Sequence, residues 1–172
     1  MRYSVAQLLK SPLGATREYE LNEDINGIDP DLDIVAPLVG RVKFLRTGSG
    51  ILVTGRLHTE AIVTCSRCLQ AARVPANIAL EEEFRPSIDL LTGAALQVED
   101  GDDPATQTDA HHILDLTEVV RQGLLLAVPM SPVCNPQCRG LCPSCGTDLN
   151  ECPCECQPEV SDPRLASLRE LL

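Results

Sequence analysis

Nine cysteines carry most of the chemistry this protein could do, and their spacing sorts them into pairs. Cys65-Ser66-Arg67-Cys68 is a C-x-x-C, a turn that points two thiolates the same way. Three further pairs lie downstream: Cys134 with Cys138, Cys142 with Cys145, and Cys154 with Cys156. Gly146, directly after Cys145, is the residue that lets backbone N–H groups turn toward the sulfurs of a zinc knuckle. Two pairs close one tetrahedron of sulfurs around a zinc ion, so four pairs make two such sites.

The favoured grouping is Cys65, Cys68, Cys134 and Cys138 on one ion, with Cys142, Cys145, Cys154 and Cys156 on a second. The first would tie a strand region to a distant segment, and the second would fold a tail with few apolar residues of its own. The competing arrangement places Cys134, Cys138, Cys142 and Cys145 on one ion and leaves the first pair to find other ligands. A lone C-x-x-C could serve thiol redox chemistry, but it would then be expected beside a βαβ pattern, which is lacking. All-cysteine sites are characteristically closed and structural, whereas catalytic zinc keeps an open position. His58, His111 and His112 have no spacing that matches a catalytic motif. No catalytic residues are assigned, and the protein is expected not to be an enzyme.

The elements that must position these cysteines follow from periodicity. Val5, Leu8 and Leu9 fall at helical spacing before Pro12, which predicts a short helix over residues 4–11. From residue 38 the sequence alternates, with Leu38, Val42 and Phe44 on one face and Arg41 and Lys43 on the other. Thr47-Gly48-Ser49-Gly50 then reads as a hairpin turn before Ile51, Val53 and Leu57. Ala61 and Val63 extend that pattern to Cys65, and Val74, Ala76, Ile78, Leu80 and Phe84 form another strand. Pro75 cannot donate a ladder hydrogen bond, which places it at that strand's start or edge.

Residues 86–111 are acidic, rich in small and polar side chains and without periodicity, the marks of a solvated, partly mobile loop insertion. Asp115 and Glu118 form a capping pattern ahead of Leu116, Val119, Val120 and Leu124, predicting a helix that covers the sheet up to Pro129. After the cysteines, Asp162 and Pro163 can open a last helix with Leu165, Leu168 and Leu172 on one face. The expected class is α+β: an antiparallel sheet or partly closed barrel packed with a few helices, plus a C-terminal zinc-binding, cysteine-rich element. The expected organisation is a core over 1–130, carrying the 86–111 insertion, and a cysteine-rich element with the last helix over 131–172.

Composition narrows the partners. A formal net charge of −11 works against diffuse attraction to phosphate, and four aromatic rings in 172 residues leave little for base stacking. A local basic face remains, because Arg41, Lys43, Arg46, Arg56, Arg67 and Arg73 all fall in or beside the strand region. They are candidates for RNA contact, although arginines in such positions also simply solvate an outer face. The longest apolar run, Leu124 to Met130, contains Pro129 and is too short to span a bilayer, so no membrane association is expected. Gln7 and Lys10 interrupt the N-terminal apolar residues where a signal peptide would need them, and a cytoplasmic setting is expected.

Taken together, these motifs resemble the YceD family. Cys65-Ser66-Arg67-Cys68-Leu69 is similar to its C-x-R-C-L signature. Asp115-Leu116-Thr117-Glu118, Pro129, Cys134, Cys138, Gly140-Leu141-Cys142, Cys145-Gly146, Leu149-Asn150, Cys154, Cys156 and Asp162-Pro163-Arg164 follow in the order of its C-terminal half. The resemblance implies a bacterial ribosome-biogenesis factor that supports synthesis, processing or stability of 23S rRNA. It implies large-subunit rRNA or a ribosomal or assembly protein as partner, with no small-molecule substrate. It also implies that Cys152, where similar proteins carry a small residue, is the surplus thiol. The rival readings are a metal- or thiol-dependent enzyme, a nuclease or a redox protein, and an acidic adaptor for a basic ribosomal protein.

Overall fold

The computed structural model describes residues 1–89, 92–96 and 103–156. In sequence order the elements are β1 (Arg2–Ser4), α1 (Ala6–Leu9), β2 (Thr16–Glu23), β3 (Asp33–Ile34), β4 (Leu38–Arg46), β5 (Ile51–Thr64) and β6 (Ala71–Pro86). A 3-10 turn (Pro104–Thr106), β7 (Gln107–Thr108), β8 (Ile113–Asp115) and α2 (Thr117–Ala127) follow. The main sheet runs β2-β4-β5-β6-β7, with β3 also pairing β5, and β1 and β8 form a separate two-stranded ribbon. All pairings are antiparallel except β6 with β7. The protein is α+β, and among the described residues the sheet is open.

Period-two alternation produces the sheet's inner face. Leu38, Val42 and Phe44 of β4, Ile51, Val53 and Leu57 of β5, and Val74, Ala76, Ile78, Leu80 and Phe84 of β6 are all buried. Burying an aliphatic or aromatic side chain of that size contributes about 1.5–3 kcal/mol. Leu8 and Leu9 of α1 and Val119, Val120 and Leu124 of α2 complete the same core. Tyr3 of the ribbon packs on Tyr19 and Phe44 with ring centroids 4.8 Å and 5.3 Å away. The helix α2 sits close on β6 because it has glycine at the contact: a Cβ on Gly123 would lie 2.8 Å from Ile78 Cγ2.

The differences from expectation have identifiable causes. The N-terminal helix is confined to Ala6–Leu9, because Arg2–Ser4 pairs with Ile113–Asp115. Strands β2 and β3 lie in a stretch where acids, Pro30 and Pro37 mask the alternation from sequence, although β2 does alternate in burial. Pro75 sits within β6 opposite Glu60, where β6 is a sheet edge, since β7 pairs only with Arg85 and Pro86. Within 86–111, the described residues include a bridge between Ile88 and Ala95 as well as β7.

Asp115 accepts from the Thr117 backbone N–H at 3.0 Å, so it does tie down the first turn of α2. Glu118 does not reach back as a capping box requires; it pairs with Arg121 at 2.7 Å instead. The helix expected after Asp162 lies outside the described residues.

Candidate metal centres

The first C-x-x-C is the far turn of the long β5–β6 hairpin. Cys65 N–H donates to Gln70 C=O at 2.8 Å and Leu69 N–H donates back to Cys65 C=O at 3.0 Å. This ring of bonds is repeated at the downstream knuckle, from Cys142 N–H to Thr147 C=O at 2.8 Å and from Gly146 N–H to Cys142 C=O at 2.9 Å. After α2 the backbone crosses to the hairpin turn, where Pro132 C=O accepts from both the Ser66 N–H and the Ser66 hydroxyl. That clamp delivers Cys134 and Cys138 to the first pair.

Two groups of four sulfurs result, each with its ligand atoms within 4.8 Å of one another: Cys65, Cys68, Cys134 and Cys138, then Cys142, Cys145, Cys154 and Cys156. The alternative that joins Cys134 and Cys138 to Cys142 and Cys145 is not the grouping the structure shows. Cys152 belongs to neither group and is exposed.

The first group's dimensions fit a metal. Cys65 Sγ to Cys138 Sγ is 4.0 Å and Cys68 Sγ to Cys134 Sγ is 3.5 Å. Metal–sulfur bonds of about 2.3 Å in a tetrahedron place sulfurs about 3.8 Å apart, between those two values. A disulfide needs about 2.05 Å.

The electrostatics point the same way. The Cys68 backbone N–H leads in pulling Cys65 down to about 6, while Cys134, beside the Cys68 and Cys138 sulfurs, is pushed up to about 12. The second group splits likewise, with Cys142 drawn to about 6 by the backbone N–H groups of Cys145 and Ser144. Its partner Cys156 is raised to about 12 next to Cys145. Four thiolates at this spacing repel one another, and a divalent cation at their centre removes the conflict. Both groups could hold a metal ion.

The basic residues do not form one face. Arg41, Lys43 and Arg56 share the outer side of the sheet, with Arg41 directly opposite Arg56. Arg46 instead shares the inner side with Val42 and Phe44, and its guanidinium donates to the carbonyls of Leu9, Thr47 and Gly50, holding the β4–β5 turn. Arg67 donates to Cys138 C=O at 2.9 Å and so supports the first group of sulfurs. Arg73 is ion-paired to Glu60 at 3.1 Å, toward the opposite end of the hairpin from Arg56. Arg41 is paired with Glu20 at 3.0 Å, and Glu18 and Glu81 sit across from Lys43 and Thr54. Among the described residues, no helix is long and apolar enough to cross a membrane.

Sequence parity could have removed Arg46 from the set, because it shares even numbering with Val42 and Phe44. The supporting role of Asn150 has no such signal: its amide Nδ2 donates to Cys138 Sγ at 3.4 Å. That contact depends on how two knuckles pack.

A hairpin turn and a downstream segment that share a four-sulfur group, followed by a second such group, define a cysteine-rich α+β protein with two candidate metal centres. Residues 53–172 match the family described as large ribosomal RNA subunit accumulation protein YceD, and the chain belongs to that family. It is 34% identical over 72% of its length to an uncharacterised protein of Mycobacterium tuberculosis, covering 56% of that protein. It is 29% identical over 71% of its length to the large ribosomal RNA subunit accumulation protein YCED homolog 1, chloroplastic, of Zea mays, covering 49% of it. An uncharacterised protein of Bacillus subtilis is 27% identical over 99% of this sequence and 94% of its own length. The chain thus spans about half the length of the mycobacterial and maize relatives. No solved structure matches it.

Proposed function

We propose that this protein is a non-enzymatic ribosome-biogenesis factor that supports synthesis, processing or stability of 23S rRNA in the bacterial cytoplasm, with one zinc ion in each four-cysteine group. The observation that carries the reading is the closed donor set: both groups supply four sulfurs, which complete a tetrahedron and leave no ligand position for a substrate. The family's description and the name of the maize relative support the link to large-subunit rRNA. Zinc suits the site because it prefers four-coordinate thiolate sets and has no redox chemistry of its own. Bound there, it would supply cross-linking energy, joining the β5–β6 turn to the segment after α2.

The partner on this reading is large-subunit rRNA or a ribosomal or assembly protein, with neither a membrane nor a small-molecule substrate involved. For RNA, the surface on offer is Arg41, Lys43 and Arg56, the three cations that the outer sheet face presents together. Depleting the protein tests the function. The ratio of large- to small-subunit rRNA should fall without loss of a particular metabolite. An unchanged ratio, in cells lacking a second copy, would defeat the reading, and turnover of RNA or disulfide by the pure protein would favour an enzyme.

A further inference from the structure

The two groups of sulfurs differ sharply in their setting. Cys65, Cys68 and Cys138 are 0%, 2% and 5% exposed, and only Cys134 of the first group is open to solvent. In the second group Cys142 alone is buried, while Cys145 and Cys156 are exposed. The first group joins residues 66 and 73 positions apart, so its ligands separate only when the fold opens. The second closes within a single local loop.

Asn150 links the two. Its amide Oδ1 accepts from the Arg139 backbone N–H at 2.8 Å, which fixes the orientation of the amide. The Nδ2 group therefore points the other way, donating to Cys138 Sγ at 3.4 Å and to Asp148 Oδ1 at 2.7 Å. Asn150 itself sits between Cys145 and Cys154, inside the loop that the second group closes. Leu141, at the entry to that loop, donates its N–H to Arg67 C=O in the first C-x-x-C turn at 3.1 Å, and Leu149 N–H inside the loop donates to the adjoining Gly140 C=O at 2.9 Å. A hydrogen bond to a metal-bound thiolate stabilises the charged ligand, and partners of this kind commonly set metal affinity.

We propose that Asn150 couples the two metal centres: an ion in the exposed second group holds the Asn150 amide against Cys138, and this bond governs how firmly the buried first group retains its own ion. The second centre is then the exchangeable one and the first the permanent staple. The inference rests on zinc occupying both groups.

The test is exchange of radioactive zinc out of the zinc-loaded full-length protein into an excess of ordinary zinc, which keeps the second group filled while the first exchanges, with brief thiol alkylation of a parallel sample reporting which cysteines open. Two phases of equal amplitude are expected, the fast one accompanied by alkylation of Cys145 and Cys156. Asn150→Ala should still load two ions but accelerate the slow phase by about 10–100-fold, the usual effect of losing such a partner. Cys145→Ser should abolish the fast phase and accelerate the slow one similarly. Asn150→Asp keeps the acceptor for Arg139 N–H and lacks the donor to Cys138, so it should release zinc at least as fast as Asn150→Ala.

A single release phase, or a slow phase unaltered in Asn150→Ala, overturns the coupling. Recovery of the slow phase in Asn150→Asp overturns it too, because Asn150 would then act only as a tether for Arg139. A protein that takes up no zinc defeats the metal assignment itself, a result distinct from each of these.

Discussion

Leu69 and Gly146 occupy the same position in two turns with matching hydrogen bonds, and both adopt left-handed backbone, at φ +61° and +74°. Glycine is at home there, whereas a leucine in that region costs about 1–2 kcal/mol. Leu69 is 64% exposed, so its side chain returns little packing. Leu69→Gly should therefore stabilise the protein by about 0.5–1 kcal/mol, after allowing for glycine's greater freedom in the unfolded state. The melting temperature should rise by about 1–4 °C. Leu69→Val, which tolerates this backbone less well, should lower it; a fall for the glycine variant would show that Leu69 makes a contact that outweighs its strain.

Asp115 gathers the start of the polypeptide onto the start of α2. Burial raises its pKa, but bonds from the Thr117 hydroxyl and backbone N–H, from Arg2 and from the N-terminal ammonium outweigh it and hold the carboxyl well below the usual range. A lowered folded-state pKa means that the stabilisation is complete above the unfolded value of about 3.9 and is lost as pH falls from there toward the folded value. The carboxylate is 39% exposed, so screening limits its worth. Asp115→Asn should cost about 1 kcal/mol at neutral pH. The gap in urea midpoint between variant and wild type should hold from pH ~8 to ~5 and narrow below that. A gap that widened toward acid would contradict this role for the carboxylate.

The outer sheet face offers a separable test of partner contact. Replacing Arg41, Lys43 and Arg56 by Glu should weaken ultraviolet crosslinking to RNA while leaving metal content and melting nearly unchanged, because exposed charges contribute little to stability. Arg46→Glu should behave differently and lower the melting temperature, since its guanidinium holds the β4–β5 turn through three carbonyls. Crosslinking that survives the triple charge reversal would move the contact elsewhere.

The long strands and α2 were legible because their inward positions are filled without interruption by aliphatic or aromatic residues, as in Val74, Ala76, Ile78 and Leu80. The cysteine pairs were legible for a similar reason, since a two- or three-residue spacing brings sulfurs together whatever surrounds them. Strand β2 was not. Its inward side carries Arg17, Tyr19 and Leu21, and its outward side Glu18 and Glu20, so the period is present but acids of low strand propensity obscure it. Glu118 fitted a capping box in sequence, yet Arg121 lies one turn away and takes it, while Asp29 holds the same guanidinium from outside the helix at 2.7 Å. Asn150 belongs to the same kind: its role follows from how two knuckles pack, which no spacing records.

The two closed four-sulfur centres support both the fold and the non-enzymatic reading, and elemental analysis of protein purified under reducing conditions tests them most directly. About two zinc ions per polypeptide are expected. Cys68→Ala should reduce that number and lower the melting temperature markedly, because metal-binding energy of order 10 kcal/mol is also folding energy, whereas Cys152→Ala should change neither. A value near zero with all nine thiols free, or equal melting of the two variants, would contradict the assignment of both centres.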